Sequence, residues 1–547
     1  MWFKKNRIRI VFIGIILLAI FLRFWQLGEI PDGFHVDEAS LGYNAYSLMK
    51  TGRDESGTFM PLTSRGLNDY GGAIGSYIAI PFIYVFGLTE SAVRAPTAIF
   101  GILFILLTYV FVYRISGNRE LALVSMALAA ISPAGILLSR AQSVLVSFVI
   151  FYGAVYCWFL WVEKRTFWYL WLCLLGILVS FYTYTGIRLV AVPFLLLVGV
   201  WYRRTFEKRF KIAFTALFLS VLLFVAGLYL SPAGTRFSQI SVFSTMNVQL
   251  PLDEEIREDG AQHLPIVVTR VLHNKVTAYG RYILKNFTDY LGFQFLFFQA
   301  VQPQREQIPN MGVLLFIECP FLLVGIYTAI RRKISYGMFS IVWFLLVPAV
   351  LSVASEETPN IHRFFPAMIP VHVLVALGIL TAVRAVKTGY RRAFIIVMLF
   401  LFALNVFYFM HELFVHQPIH APIYRNEPDK ALAIILKNVY RSYDVVVSQK
   451  ILPHILFFWP VDPATYQKEG SPRDTDNAWY RNILFVADSC PSHHSDPAVA
   501  ALTAPRILYV DRAECTLTKN DVIIKTIEYK NTLDAYHLIE KRKMVNN

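Results

Sequence analysis

The chain has 547 residues, of which 56% are hydrophobic and only 16% are charged. Soluble domains usually carry about 25% charged residues, so this composition excludes an ordinary soluble globule. The net charge of +14 does not indicate nucleic-acid binding, because the cations stand in short clusters between apolar runs, as juxtamembrane anchors do. Apolar runs of about 18 residues or more recur along the chain. They predict an all-α polytopic membrane protein.

The first apolar run, residues 10–27, follows a basic stretch that contains Lys4 and Arg9. It ends at Phe24 and Trp25, which are typical interfacial anchors, whereas the apolar part of a signal peptide is shorter and ends at small residues. We therefore expect an uncleaved helix with its N-terminus in the cytoplasm.

Cationic clusters stay in the cytoplasm when loops are short, so the chain must leave the membrane and return between neighbouring clusters. The clusters are Lys4 to Arg9, Arg114 with Arg119, Lys164 with Arg165, Arg203 to Lys211, Arg331 to Lys333 and Arg384 to Arg392. The predicted spans are 10–27, 92–113, 121–138, 143–162, 167–182, 189–202, 211–230, 311–330, 336–353, 366–384 and 393–411. This gives about 11 crossing helices.

The run from Ala73 to Gly87 is the exception to this pattern. It is short for a span and contains Pro81. We predict that it lies against the outer face of the membrane; the alternative, that it spans and breaks the charge rule, remains open. The prediction places the acidic pair Asp37 and Glu38 outside the cytoplasm.

The predicted organisation is a transmembrane domain over 1–411 and a soluble α/β domain over 412–547 on the outer side. The first domain has two large outer loops, about 28–91 and 231–310. In the first loop, Ala39 to Lys50 has the pattern of an amphipathic helix with the acidic pair at its N-terminus. Tail strands are predicted at 444–448, 483–487, 506–510, 522–524 and 535–539, and a helix at 431–439. Cys490 and Cys515 also lie in the tail, where an oxidising compartment would allow them to pair.

Several short blocks resemble the GT-C superfamily of membrane glycosyltransferases. The closest branch comprises the protein O-mannosyltransferases, the aminoarabinose transferases and their bacterial relatives, which use polyprenyl-phosphate sugars as donors. The blocks are Asp37-Glu38, Phe86 to Pro96, Ser139-Arg140, Tyr182 to Arg188, His273 to Lys275 with Asn286 to Tyr290, and Pro359 to Arg363. The resemblance runs along the whole chain and implies a GT-C fold.

Two departures from the family pattern bear on activity. Relatives often carry a Lys-Pro-Pro-Leu-like motif where this chain has residues 68–73, and a second acid soon after the Ser139-Arg140 turn, where this chain has none. Asp69 or the Glu356-Glu357 pair could replace what is missing. Otherwise the donor site is unusual or the activity is lost. The resemblance allows a divalent cation at Asp37, but without the second acid we predict neither a metal nor a cofactor.

Sugar transfer needs a base that takes the proton of the acceptor hydroxyl, and a positioned carboxylate can do this. Asp37 is the predicted base, and Glu38 would orient it or share its proton. The structural alternative is that the pair only caps the following helix, because carboxylates are favoured at helix N-termini.

The departing phosphate needs cations on the outer side. The candidates are Arg363 with His362, Arg188, Arg140, Lys275 and Arg94, to which Asp69 is added as a substrate-binding acid. Each cation could instead contact a lipid headgroup. Tyr182 and Tyr184 could stack on the sugar or belong to the interfacial aromatic belt.

The predicted function is an inverting transfer of a sugar from a polyprenyl-phosphate carrier to a protein, lipid or glycan acceptor at the outer face of the cell membrane. The predicted partners are that donor, membrane lipids and the acceptor, without nucleic acid. A flippase for lipid-linked saccharides is one alternative, although the sequence lacks the internal repeats of many transporters. A catalytically inactive binding protein is another.

Overall fold

The computed structural model describes residues 2–65, 70–141, 144–230, 241–244, 246–299, 304–420, 422–473, 475 and 477–541. The chain divides into two compact units. Unit 1 comprises Met1–Trp25 and Thr97–Glu412, and unit 2 comprises Gln26–Pro96 and Leu413–Asn547. The first outer loop, which we expected to belong to the transmembrane domain, is thus grouped with the tail.

The α-helices are, in chain order, α1 Trp2–Phe24, α2 Val36–Thr51, α3 Ile74–Phe86, α4 Glu90–Ser116, α5 Arg119–Ile131, α6 Pro133–Arg140, α7 Leu145–Lys164, α8 Trp168–Thr183, α9 Ile187–Tyr202, α10 Lys208–Tyr229, α11 Met246–Ala261, α12 Ile266–Leu272, α13 Lys275–Leu291, α14 Glu318–Arg331, α15 Ser335–Leu351, α16 Ile361–Phe364, α17 Met368–Ala385, α18 Arg391–His411, α19 Gln417–His420, α20 Glu427–Val439, α21 Leu452–Phe458, α22 Pro463–Glu469 and α23 Pro497–Ala500. The strands are β1 Thr63–Arg65, β2 Tyr70–Gly72, β3 Val445–Gln449, β4 Ala478–Tyr480, β5 Ile483–Val486, β6 Ile507–Arg512, β7 Asp521–Glu528 and β8 Asp534–Lys541.

Among the described residues, five helical segments are long and apolar enough to cross a membrane. They are Glu90–Ser116, Leu145–Lys164, Lys208–Tyr229, Ile361–Ala385 and Arg391–His420. Four shorter apolar helices, α3, α8, α9 and α15, accompany them. The chain is therefore a multi-pass membrane protein, whereas the predicted number of about 11 crossings stays a prediction.

The span predicted at 121–138 is divided into α5 and α6, which meet at an angle of 53°. Pro133 lacks an N–H group and fits the first position of a helix. The Ser132 hydroxyl caps α6 by accepting the N–H of Gly135 at 3.2 Å. The Ser-Pro pair therefore ends one helix and begins the next, and the two together would form a sixth, broken span.

The predicted cytoplasmic clusters of unit 1 meet at one end of its helices. Ion pairs link residues at these ends: Arg114 with Glu163 (3.5 Å), Arg165 with Glu207 (2.6 Å) and Arg384 with Glu120 (3.1 Å). These residues come from the C-terminal ends of α4, α7 and α17 and from the N-terminal ends of α5 and α10. These helix ends therefore lie side by side in pairs, while the predicted path across the membrane stays a prediction.

The tail of unit 2 contains a six-stranded sheet in the order β4-β5-β3-β6-β8-β7. Its centre is parallel, with Val446 of β3 aligned between Ile483 of β5 and Leu508 of β6, and both edges are antiparallel. Each predicted strand of the tail is present, and β4 is an additional edge strand. Cys490 and Cys515 form a disulfide that closes a segment of 25 residues and joins the regions after β5 and β6.

Helix α2 packs into the tail. The ring of Tyr43 is fully buried in a hydrophobic core with tail residues that include Leu432, Ile455 and Tyr466. A second core joins Phe34 of the first loop and Val93 of α4 to Phe457 of α21. Burial of this apolar surface explains why the loop and the tail form one unit although hundreds of residues separate them.

Candidate active site

The acidic pair lies in the first turn of α2. The helix begins at Val36, three residues earlier than predicted, with His35 as its N-cap. The Glu38 carboxylate accepts the backbone N–H of His35 at 3.2 Å, and the His35 imidazole accepts the N–H of Asp37 at 3.2 Å, which completes a capping box. The predicted capping role is therefore present, and it involves Glu38.

The two carboxylates point into different environments, because consecutive residues on a helix diverge by about 100°. The Asp37 side chain is 60% exposed, and its Oδ2 lies 3.2 Å from Nδ1 of His35. The Glu38 side chain is only 2% exposed. Asp37 can therefore meet a substrate, whereas Glu38 is enclosed by protein.

Two arginines hold the Glu38 carboxylate. Arg94 donates from Nε to Oε1 at 2.9 Å and from Nη2 to Oε2 at 3.2 Å. Arg425, from the tail, donates from Nη2 to the same Oε2 at 2.8 Å. Both arginines are fully buried. Such charge-assisted bonds compensate the cost of burying a carboxylate.

Arg94 also fixes the backbone of the segment before the acidic pair. Its Nη1 donates to the carbonyls of Leu27, Gly28 and Pro31, and its Nη2 donates to that of Gly33 at 2.6 Å. The phosphate-binding role predicted for Arg94 stays a prediction. Its guanidinium joins this loop to the Glu38 carboxylate.

His454 of α21 contacts the segment just before the acidic pair. Its ring is buried, and Nε2 donates to the carbonyl of Phe34 at 2.7 Å. Burial lowers the pKa of His454, while the charge of Asp429 acts in the opposite direction. The ring is therefore neutral near pH 7. The sequence analysis missed both Arg425 and His454, because only the fold brings them to the acidic pair.

Arg363 and His362 lie in α16 of unit 1. Arg363 donates from Nη1 to the carbonyl of Glu356 at 2.6 Å, and its Nη2 lies 3.4 Å from the Glu356 carboxylate. His362 Nε2 lies 3.5 Å from Oε1 of the buried Glu306. Both predicted phosphate ligands are thus buried beside acids.

The turn that carries Arg363 is supported by α13, from the second outer loop. Asn286 donates to the carbonyls of Ser352 and Ala354 at 3.0 and 2.9 Å. The Tyr290 hydroxyl accepts the N–H of Asn360, the N-cap of α16, at 3.2 Å. Burial raises the pKa of Tyr290 to about 12, against the opposing charge of Arg363. The block Asn286 to Tyr290, quoted only for its resemblance, therefore has a structural role.

The remaining predicted cations differ in their surroundings. Arg188 is buried and donates to the carbonyl of Phe181 at 3.0 Å, and its Nε has no hydrogen bond within the described residues. Arg140 is fully buried and donates to the carbonyls of Leu22 and Trp25. Lys275, the first residue of α13, is exposed. The phosphate-binding roles of Arg188, Arg140 and Lys275 stay predictions.

Tyr182 and Tyr184 are half-buried in the α8–α9 turn. The ring of Tyr184 lies 6.1 Å from that of Phe148, which in turn lies 6.3 Å from Phe365. The predicted outer turns at 182–188 and 355–365 therefore meet at one end of unit 1. Asp69 lies outside the described residues.

The fold defines a class: a multi-pass membrane protein whose tail carries a six-stranded sheet. Residues 13–238 match the family model described as dolichyl-phosphate-mannose-protein mannosyltransferase. The crystal structure of ArnT from Cupriavidus metallidurans bound to undecaprenyl phosphate shares 12% sequence identity, covers 97% of this chain and 98% of that chain, and has a TM-score of 0.52. The apo structure of that protein shows 12% identity, 98% coverage of both chains and a TM-score of 0.49.

A search of curated proteins found no match. The family model and the ArnT fold confirm the predicted resemblance to the GT-C superfamily. At 12% identity the structural likeness establishes the fold alone.

Proposed function

We propose that this chain is a glycosyltransferase that moves a sugar from a polyprenyl-phosphate carrier to a protein, lipid or glycan acceptor on the outer face of the membrane. The observation that carries the proposal is the separation of the acidic pair: Asp37 is exposed, while Glu38 beside it is buried between two arginines. The match to a family of lipid-phosphate-dependent mannosyltransferases supports the same donor class, as does the undecaprenyl phosphate bound to ArnT.

In the proposed reaction, an oxygen of Asp37 takes the proton of the acceptor hydroxyl. The hydroxyl oxygen forms a bond to the anomeric carbon of the sugar while the bond between that carbon and the phosphate oxygen breaks. The electron pair leaves with the polyprenyl phosphate. Attack from the face opposite the leaving group inverts the anomeric centre.

The departing phosphate gains negative charge, which cationic side chains would stabilise. We keep Arg363 with His362 as the first candidates, followed by Arg188, because its buried guanidinium leaves Nε without a hydrogen bond among the described residues. Lys275 is an exposed candidate. Arg140 and Arg94 already donate to backbone carbonyls, which favours a positional role for both.

Transfer at the outer face rests on the charge pattern of the loops. The disulfide in the tail supports this placement, because such bonds form and persist in oxidising compartments outside the cytoplasm.

The test is the replacement Asp37→Asn, which removes the base and keeps the shape. The purified full chain is supplied with undecaprenyl-phosphate-linked mannose or aminoarabinose and with membranes from cells that lack the chain. We expect transfer of labelled sugar to fall by at least about 10²-fold, the contribution of a positioned base. Glu29→Gln, at an exposed carboxylate of the same unit, is the matched control and should keep full activity.

Full activity of Asp37→Asn would remove Asp37 from the mechanism. Movement of the labelled lipid across sealed vesicles without formation of a new glycosidic bond would instead identify a flippase.

A further inference from the structure

Side chains of the tail hold the short segment that contains the acidic pair. Five contacts reach residues 32–38: Gln417 accepts the N–H of Asp32 (3.0 Å), Lys530 pairs with the Asp32 carboxylate (2.8 Å), His454 donates to the Phe34 carbonyl (2.7 Å), Asn426 accepts the N–H of Val36 (3.2 Å) and Arg425 binds Glu38 (2.8 Å). These tail residues come from four stretches of the tail: α19, the turn before α20, α21 and the β7–β8 connection. The segment therefore takes its conformation from the tail as well as from its own helix.

The approach of the tail is close at Gly33. A Cβ at this position would lie 2.7 Å from both Cβ and the carbonyl oxygen of Arg425, and the backbone has a φ of +80°. Only glycine adopts this conformation without strain. The backbone of Arg425 thus lies against Gly33, while its guanidinium binds Glu38.

We propose that Arg425 is a positioning residue for the transfer reaction. Through it, the tail holds the proposed base, Asp37, in place. This inference rests on the proposed function. Arg425 and Arg94 share Oε2 of Glu38 and restrict the rotation of that carboxylate. Glu38 in turn binds the N–H of His35 and fixes the first turn of α2, where Asp37 is exposed.

The chemistry of the arginine matters as well as its charge. Lysine at this position would preserve the positive charge, but it lacks the planar guanidinium that directs several donors at once. A small displacement of Asp37 would lengthen the path to the acceptor hydroxyl, and a misplacement of about 1 Å can cost about 10²-fold in rate. Arg425→Lys should therefore restore only part of the function of Arg425.

A matched control separates positioning from general stability. Arg473, also in the tail, forms a buried ion pair with Glu55 of the first loop and donates to Ser40. It joins the same two stretches of chain without touching residues 32–38. Arg473→Gln should weaken the unit in a comparable way and leave the first turn of α2 in place.

The experiment compares Arg425→Gln, Arg425→Lys and Arg473→Gln in the full chain in detergent. It uses the labelled undecaprenyl-phosphate-linked donors described above. We expect Arg425→Gln to lower kcat by about 10²-fold with little change in the donor KM. The kcat of Arg425→Lys should lie between those of the wild-type chain and Arg425→Gln. The folded fraction of Arg473→Gln should keep the wild-type kcat. Hydrogen exchange at residues 35–39 should rise in Arg425→Gln, rise less in Arg425→Lys and stay unchanged in Arg473→Gln, and this readout needs no activity.

An inactive wild-type chain would overturn the proposed function. Unchanged exchange in Arg425→Gln, or a kcat equal to that of Arg473→Gln, would overturn the positioning role. If Arg425→Gln does not fold, Arg425→Lys and Asn426→Ala decide: Asn426→Ala removes the acceptor of the Val36 N–H together with a donor to Asp429. Normal kcat and normal exchange in both would also overturn the inference.

Discussion

The acidic pair of unit 2 and the cations of unit 1 are held in different ways. Glu38 is bound by Arg94, 56 residues away, and by Arg425, 387 residues away. Arg363 and Arg188 are each bound by a partner seven residues earlier in the chain, at Glu356 and Phe181. The first arrangement depends on the tertiary fold, whereas the second is built within single turns between helices.

This difference has an energetic consequence. The Glu38 cluster is buried on all sides, so removal of one member leaves charge without compensation in a medium of low dielectric constant. Glu356, the partner of Arg363, is 43% exposed in its side chain, and water can replace the lost interaction. Substitutions in the Glu38 cluster should therefore damage folding, while those in the Arg363 turn should mainly affect function.

The largest expected effect is that of Arg94→Met. This change leaves the Glu38 carboxylate with one guanidinium and releases the carbonyls of the preceding loop. We expect a loss of about 3–5 kcal/mol of stability, measured as thermal unfolding of the purified chain in detergent. Arg363→Met should cost only about 1–2 kcal/mol. Equal losses in both variants would refute the contrast between the two regions.

The second prediction concerns the disulfide of the tail. Cys490→Ser should lower stability by about 2–4 kcal/mol, because the bond no longer restricts the unfolded chain. Cys319→Ser in unit 1 is the matched control, since that cysteine is free. A reducing agent should destabilise the wild-type chain and leave Cys490→Ser unaffected. The same stability for wild-type and Cys490→Ser would show that the bond does not form in the native protein.

The same contrast explains what the sequence could predict. The amphipathic pattern at 39–50 predicted α2, and short apolar runs within the more polar tail predicted its strands. These are local signals. The break at Pro133 had a local signal too, in the Ser-Pro pair, but the apolar run around it favoured one helix.

The support of Glu38 had no such signal. Arg425 follows a run of mixed residues, and nothing near it in the chain indicates a buried partner. Its role arises because the cores around Tyr43 and Phe34 bring the first loop to the tail. The exposure of Asp37 and the burial of Glu38 likewise depend on which face of α2 the tail covers. Long-range packing decides both, and a single sequence does not specify it.

A smaller effect is expected at Tyr290 in unit 1. Tyr290→Phe removes the hydroxyl that accepts the buried N–H of Asn360. An unsatisfied buried N–H costs about 1–3 kcal/mol, so the unfolding temperature should fall modestly. Tyr279→Phe on the same helix should have little effect, because its ring packs on Phe243. If the two variants behave alike, α13 does not support the Arg363 turn through this bond.

The smallest predicted effect is a pH dependence at His454. Burial lowers the pKa of its ring below the ordinary value of 6.5, and Asp429, His35 and Glu38 are the charged or titratable groups that act on it. The unfolded chain therefore binds a proton that the folded chain excludes. Stability from this group is complete above pH 6.5 and is lost as the pH falls toward the lowered pKa, by at most about 1.4 kcal/mol per pH unit.

Unfolding temperatures of the wild-type chain and of His454→Asn should be compared between pH 5 and 7.5. The substitution should reduce the loss of stability on acidification, although it weakens the contact with Phe34 at every pH. His493, which is exposed and binds the carbonyl of Thr516, supplies the matched control His493→Asn. An unchanged pH dependence in His454→Asn would mean that the ring does not titrate on unfolding. In that case His454 would support the segment through its hydrogen bond to Phe34 at every pH.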